Sequence, residues 1–163
     1  MKSLLVLRHA KSDWHDSELA DQDRPLNKRG TRDAGRMGRL LQEESLLPDL
    51  IITSTAKRAR QTVERLVAAS GYTGTVATKA VFYLAGPSTY LRVLREVKDD
   101  PQRVMVVGHN PGLEELVNSL TSTSTTMPTA ALVEIALPLS SWQELDEATR
   151  GELKGVWRPR ELS

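Results

Sequence analysis

The chain contains no cysteine, which excludes disulfides, thiol nucleophiles and thiolate metal sites together. It has one phenylalanine and only 4% aromatic residues, which leaves little for base stacking. The basic Lys28–Arg39 stretch is interrupted by acid, so no nucleic-acid partner is expected. Neither sign of charge dominates: 22 Lys and Arg against 21 Asp and Glu give a net charge of +1. There is therefore no general attraction to nucleic acid or acidic membranes, and any positive field must be local. No apolar run approaches the roughly 18 residues needed to cross a bilayer, so no membrane partner is expected. The amino-terminal "MKSLLVLRHAK" has a lysine and a short apolar stretch, but Arg8 interrupts it before the apolar region of a signal peptide is complete. It reads as the first strand of a cytoplasmic protein. The signatures GxxxxGK[ST], GxGxxG, HxH and HExxH do not occur in the sequence, so no cofactor and no metal are expected.

What is present suits an ordinary globular protein. A length of 163 residues, 39% hydrophobic and 26% charged, fits one domain spanning 1–163 with a sizeable core. Short aliphatic runs alternate with helical patterns, which argues for an α/β fold with a largely parallel sheet. Strands are expected at Ser3–Leu7, Leu50–Thr53, Thr78–Tyr83, Val104–Val107, Leu132–Leu137 and Leu153–Trp157. Asn27 can cap a helix running to about Glu44, with Ala34, Met37, Leu40 and Leu41 as its apolar stripe. Ser54 or Thr55 can cap a second helix, with Ala59, Val63, Leu66 and Val67 facing inward. Two more run from Ser88 to about Val97 and from Gly112 to about Leu120. The stretch "TSTSTT" at 121–126 reads as a polar loop.

In open α/β sheets, ligands bind beyond the carboxyl ends of parallel strands. Three such ends, "LVLRHAKSDWH", "LIITSTAKRARQT" and "VMVVGHNPG", bring Arg8, His9, Ser54, Arg58 and His109 to one edge. One histidine at a strand end is usually structural. Two at equivalent places, joined by an arginine at a helix start, point to a site. Arginine offers a planar fork of donors matched to phosphate oxygens, and a neutral imidazole is a competent nucleophile at pH 7. Nearby arginines would push His9 toward its neutral form. A phosphohistidine intermediate follows from these residue types. Arg58 and Arg60 are two apart on a helix and point in roughly opposite directions, so only one can face the site; periodicity does not choose.

Together "LRHAKSDW", "TSTAKRARQT" and "VGHNPGL" resemble the histidine phosphatase superfamily, with its phosphoglycerate mutase-like fold. The short chain, the "HNPG" and the closing "WRPREL" are most similar to SixA-type phosphohistidine phosphatases. The resemblance implies a three-layer sandwich with a largely parallel central sheet flanked by helices. It makes His9 the nucleophile, Arg8 and Arg58 the phosphate-binding arginines, and His109 the second catalytic histidine. It also places the backbone N–H of Asn110 near the phosphate. Where the family usually has glycine after "RH", this chain has Ala10, which is tolerable if its φ is negative. His15 stands where related mutases carry a phosphate-contacting asparagine, and imidazole can donate one hydrogen bond there. Lys11 and Trp14 could line the entrance.

A general acid is not singled out: Asp13, Glu18, Asp21 and Asp23 all follow the nucleophile. The expected activity is metal-independent hydrolysis of phosphohistidine or phosphomonoester substrates through phospho-His9. The expected partner is a phosphorylated protein or a small phosphorylated substrate. Protein phosphohistidine is favoured because a leaving imidazole needs less protonation than an alkoxide. The alternatives are a small-molecule or phosphoserine-type phosphomonoesterase and a non-catalytic phosphate-recognition module. Oligomeric state is not legible.

Overall fold

The computed structural model describes residues 1–162. Its elements in chain order are β1 (Lys2–Arg8), α1 (Lys28–Glu43), β2 (Leu50–Ser54), α2 (Lys57–Ser70), β3 (Thr75–Lys79), α3 (Pro87–Arg95), β4 (Arg103–Gly108), α4 (Gly112–Thr121), β5 (Leu132–Leu137) and β6 (Glu152–Trp157), with short 3₁₀ turns between some of them. The strands form one six-stranded sheet in the order β3-β2-β4-β1-β5-β6. The first four of that order are parallel neighbours, while β5 and β6 close the far side as antiparallel strands. Among the described residues, no helix is long and apolar enough to cross a membrane.

Alternation along the central strands builds the two apolar layers. Leu4, Val6, Val104 and Val106 face α3 and α4, in a cluster with Leu91, Leu94, Leu113 and Leu116. Leu5, Leu7, Met105 and Val107 face α1 and α2, with Met37, Leu41, Val63 and Leu66. Leu4–Leu7 are all fully buried, which is why β1 reads as an unbroken aliphatic run. Truncating one such leucine to alanine costs about 2–5 kcal/mol.

The starts of α1 and α3 follow local chemistry. The Asn27 side chain accepts from the Gly30 N–H at 2.8 Å, and Pro87 occupies the first turn of α3, where its missing donor costs nothing. At α2 the cap position is Ala56, with no side-chain cap; Ser54 and Thr55 do not fill it. The strand expected at Thr78–Tyr83 is a second departure. The structure places β3 earlier, at Thr75–Lys79 on the sheet edge, and folds Ala80–Phe82 into a 3₁₀ turn. The apolar run there buries Phe82 against Tyr90, ring centroids 4.5 Å apart. A short apolar run signals burial, not strand geometry.

Candidate active site

The helix after β1 packs on one face of the sheet and the helix after β4 packs on the other. Because β1 and β4 are direct neighbours, with Arg8 opposite Gly108, the chain diverges between their carboxyl ends and leaves a crevice there. His9 and His109 are the first residues beyond the two strands. The His9 N–H donates to the Gly108 carbonyl at 3.1 Å, and the Ala130 N–H donates to the His9 carbonyl at 3.0 Å. The two rings lie 5.2 Å apart between centroids. Close backbone approach holds this edge together. A Cβ on Gly30, in the first turn of α1, would lie 2.1 Å from the Lys11 carbonyl oxygen, and one on Gly108 would lie 2.1 Å from the Tyr90 hydroxyl oxygen.

Hydrogen bonds fix the tautomer of His9 and leave that of His109 to Ser54. His9 Nδ1 lies 2.7 Å from the Ala10 carbonyl oxygen. A carbonyl can only accept, so Nδ1 carries the proton and Nε2 keeps its lone pair. That lone pair faces the Arg58 Nε–H at 3.4 Å. His109 Nδ1 faces Arg58 Nη2 at 3.4 Å, which makes Nδ1 the acceptor and sends the Nε2 proton to Ser54 Oγ at 2.8 Å. The serine hydroxyl can reverse that bond, because it donates as readily as it accepts; His109 would then present Nδ1–H toward the site. His9 and His109 are only 7% and 2% exposed, and this burial is the main cause that pushes them down to about 3 and about 4. Both are neutral at pH 7. The arginines contribute in the same direction, as expected from the sequence, but desolvation dominates.

Arg58 is the arginine of α2 that turns inward; Arg60 instead donates to the Thr55 carbonyl at the surface. The buried guanidinium is pinned from behind by Asp21, donating from Nη1 to its carbonyl at 2.7 Å and from Nη2 to Oδ2 at 3.0 Å. The Tyr83 hydroxyl donates to the same Oδ2, and the Tyr83 ring stands edge-on to His109 at 5.4 Å. The Tyr83 and Arg58 donors hold the Asp21 carboxyl below its usual range, while the carboxylate pushes the Tyr83 phenol up. Asp21 is thus ionised and committed to holding Arg58. The rest of "RARQT" ties α2 to the chain that follows β1. Thr62 Oγ1 donates to the Arg58 carbonyl at 2.7 Å and accepts from the Ala10 N–H at 2.9 Å, and Gln61 accepts from the Leu26 N–H at 2.8 Å. Ala10 is buried and is not among the residues with positive φ, so its methyl strains nothing there.

Arg8 is held from the other side. Its Nη1 donates to the Met127 carbonyl at 3.1 Å, while Nε is buried without a protein partner. The Asn110 amide donates to the same carbonyl at 2.8 Å and to Glu114 Oε2 at 3.0 Å, and Glu114 Oε2 accepts from the Met127 N–H at 2.8 Å. The Asn110 side chain therefore secures the end of the polar loop, and only its backbone remains as a candidate phosphate contact. Burial lowers the Arg8 pKa, with Glu114 opposing and Arg58 adding; at any working pH it stays charged.

The structure does not bring His15 to this group. Its side chain is 94% exposed and its Nδ1 lies 2.6 Å from Asp13 Oδ1. Trp14 is exposed beneath the Arg24 guanidinium, which sits 4.1 Å above its ring. Sequence reasoning missed Tyr83, Glu114 and the Met127 carbonyl, and did not separate Asp21 from three other acids. Nothing in the local sequence marks these residues; their roles arise mostly from contacts between segments 13 to 119 residues apart. Apart from Asp21 and Glu114 the site is cationic or neutral, and among the described residues no cluster of three or more histidine and carboxylate side chains is arranged to hold a metal ion.

Comparison with known proteins agrees with this geometry. Residues 4–80 match the model of the histidine phosphatase superfamily (branch 1). An uncharacterised chloroplastic protein of Arabidopsis thaliana is 32% identical over 152 residues, covering 88% of this chain and 70% of that protein. Two solved structures assigned as the phosphohistidine phosphatase SixA superpose along almost the whole chain. The one from Agrobacterium tumefaciens has a TM-score of 0.83 at 28% identity, covering 97% of this chain and 98% of the other. The one from Nakamurella multipartitia has a TM-score of 0.85 at 26% identity, covering 97% and 96%. With two neutral strand-end histidines, two arginines and a matching fold, this chain belongs to the histidine phosphatase superfamily.

Proposed function

We propose that the protein is a metal-independent phosphatase that removes phosphoryl groups from phosphohistidine on proteins, through a covalent intermediate on His9. The observation that carries this reading is the His9 tautomer. A buried neutral ring, with Nδ1–H tied to the Ala10 carbonyl, presents the Nε2 lone pair to the Arg58 Nε–H. In the first displacement Nε2 attacks phosphorus, and the bond to the leaving nitrogen breaks with its electron pair. In the second, water attacks phosphorus and the P–Nε2 bond returns its pair to His9. Both steps depend on positioning and on neutralising the equatorial oxygens. Arg8, Arg58 and the Nδ1–H that His109 gains when Ser54 reverses its bond supply that charge.

The choice of phosphohistidine rests on the leaving group. Asp21 is the carboxylate in contact with Arg58, and it is ionised, so it holds a guanidinium and does not deliver a proton. A leaving imidazole, with a conjugate-acid pKa of about 6.5, makes the smaller demand for one. The full-length match to two structures assigned as phosphohistidine phosphatases supports the same substrate class.

Rapid quench in base with a labelled phosphohistidine donor, in the presence of EDTA, tests the proposal, because phosphohistidine survives alkali. Label that maps to His9 and turns over is the expected result. Turnover of phosphoserine esters but not phosphohistidine would replace the substrate class. No label and no hydrolysis with either donor would overturn the enzymatic reading in favour of a phosphate-recognition module.

A further inference from the structure

Outside the catalytic crevice, positive charge concentrates in one place. A surface cavity of about 240 Å³ is lined by Arg29, Arg32, Arg36 and Arg160, with Asp33 as its one acid and Thr129 on the facing wall. The chain as a whole carries a net charge of +1, so four arginines at one cavity are a local excess. Asp33 answers only part of it, at 3.8 Å from Arg29 and 3.7 Å from Arg32. Arg36 is fixed by donating to the Pro159 carbonyl at 2.9 Å, which adds no negative charge.

The cavity adjoins the catalytic edge. Its Thr129 wall lies between Met127, whose carbonyl holds Arg8, and Ala130, whose N–H holds the His9 carbonyl. Arg29 Nη2 reaches Thr129 Oγ1 at 3.5 Å. From Arg29 to Arg36 the helix descends roughly 10 Å, so the charge forms a stripe leading away from the crevice. Beside the start of α1, the segment after His9 carries Asp13, Asp16, Glu18, Asp21 and Asp23, and Asp13 lines a second cavity together with Arg29. The rim is therefore polarised, basic along α1 and acidic along the loop. That disfavours a uniformly anionic polymer such as nucleic acid and fits a ligand whose negative charge is confined to one side.

We propose that this arginine-lined cavity docks an acidic segment of the phosphoprotein substrate, taking carboxylate side chains while the phosphorylated histidine enters the crevice. The inference rests on the phosphohistidine reading and names the kind of protein that site accepts. An extended chain advances about 3.3 Å per residue, so acids three to six residues from the phosphohistidine lie roughly 10–20 Å from it, in reach of the stripe. Charge complementarity of this kind acts chiefly on encounter, raises association at least about tenfold at low salt, and fades as the Debye length shortens.

The test uses phosphohistidine peptides of equal length. Four aspartates stand three to six residues before, or after, the phosphohistidine, and a reference peptide carries serine at those positions. With the full chain at 50 mM salt, one aspartate peptide should show about tenfold higher kcat/KM than the serine peptide, and the advantage should shrink at 300 mM salt. In Arg32→Glu/Arg160→Glu the advantage should vanish or invert, while serine-peptide turnover stays within about twofold, because neither residue touches the crevice. A wild type that turns over the serine peptide without preferring aspartate, or a preference that survives the double reversal, overturns the docking site. Should no phosphohistidine peptide be turned over, the substrate reading falls separately. Fluorescence anisotropy of the labelled peptides on His9→Ala then decides docking alone: equal affinity for aspartate and serine peptides refutes it.

Discussion

His9 and His109 end neighbouring central strands, whereas His15 stands in the loop six residues past His9. All three are imidazoles, and the surroundings give them different chemistry. The strand-end pair is buried with a serine, a backbone carbonyl and the Arg58 guanidinium, which fix the His9 tautomer, and burial keeps each ring neutral. His15 is open to solvent and meets one carboxylate. A histidine becomes a tuned group when rigid neighbours choose its proton, not when it merely lies close in sequence to a strand end.

The largest expected effect breaks the comparison at its centre. His9→Ala should lower kcat with a phosphohistidine donor by about 10⁴-fold or more, whereas His15→Ala should not; comparable losses in the two variants would remove the distinction. Next comes the anchor behind Arg58. Asp21→Ala leaves the guanidinium without its carboxylate and should lower kcat/KM about 10- to 100-fold. Intact folding with a rate within threefold of wild type would show that Arg58 needs no such support.

The same comparison predicts an acid-sensitive stability. The folded chain holds His9 and His109 at about 3 and about 4, while an unfolded histidine titrates near 6.5. As pH falls below about 6.5 the unfolded chain binds protons first, so stability declines by at most about 1.4 kcal/mol per pH unit for each histidine. The decline continues until the folded values are reached. Asp21 works in the same sense at lower pH: its depressed carboxyl stabilises the fold above the ordinary carboxylate range, and that contribution is lost as pH falls through its folded value. Urea midpoints at pH 7.5, 6 and 5 should therefore fall in the wild type and fall less in His9→Asn/His109→Asn. Parallel declines in both would mean that the rings are not buried neutral. The smallest effect is the sharpest contrast: His15→Asn should leave the kcat/KM profile between pH 5.5 and 7.5 unchanged, and a shifted acid limb would bring that loop into the site.

Much of this site was legible because strand ends and apolar periodicity are local signals. "LLVLRHA" and "VMVVGHN" announce buried strands followed at once by polar groups, and parallel pairing places those groups side by side. The chain fell short where contacts are long-range. Asp21 was one of four equivalent acids until the fold set it against Arg58, and Tyr83 sat within an expected strand until Phe82 turned inward and freed the chain to leave the sheet. The "TSTSTT" stretch read as a polar loop, and the loop's end carries the Met127 carbonyl that fixes Arg8. Main-chain acceptors have no residue type to betray them.

By itself, then, the sequence determined the alternation of strands and helices, the edge where function gathers, and the residue types able to move a phosphoryl group. Those follow from periodicity, chain direction and side-chain chemistry, which act over a few residues. Only the tertiary structure decided which nitrogen of His9 holds its proton, which arginine turns inward, which acid restrains it and where surplus arginine charge accumulates. Each of those depends on burial and on partners many residues away, and desolvation and hydrogen-bond geometry exist only once the layers have closed.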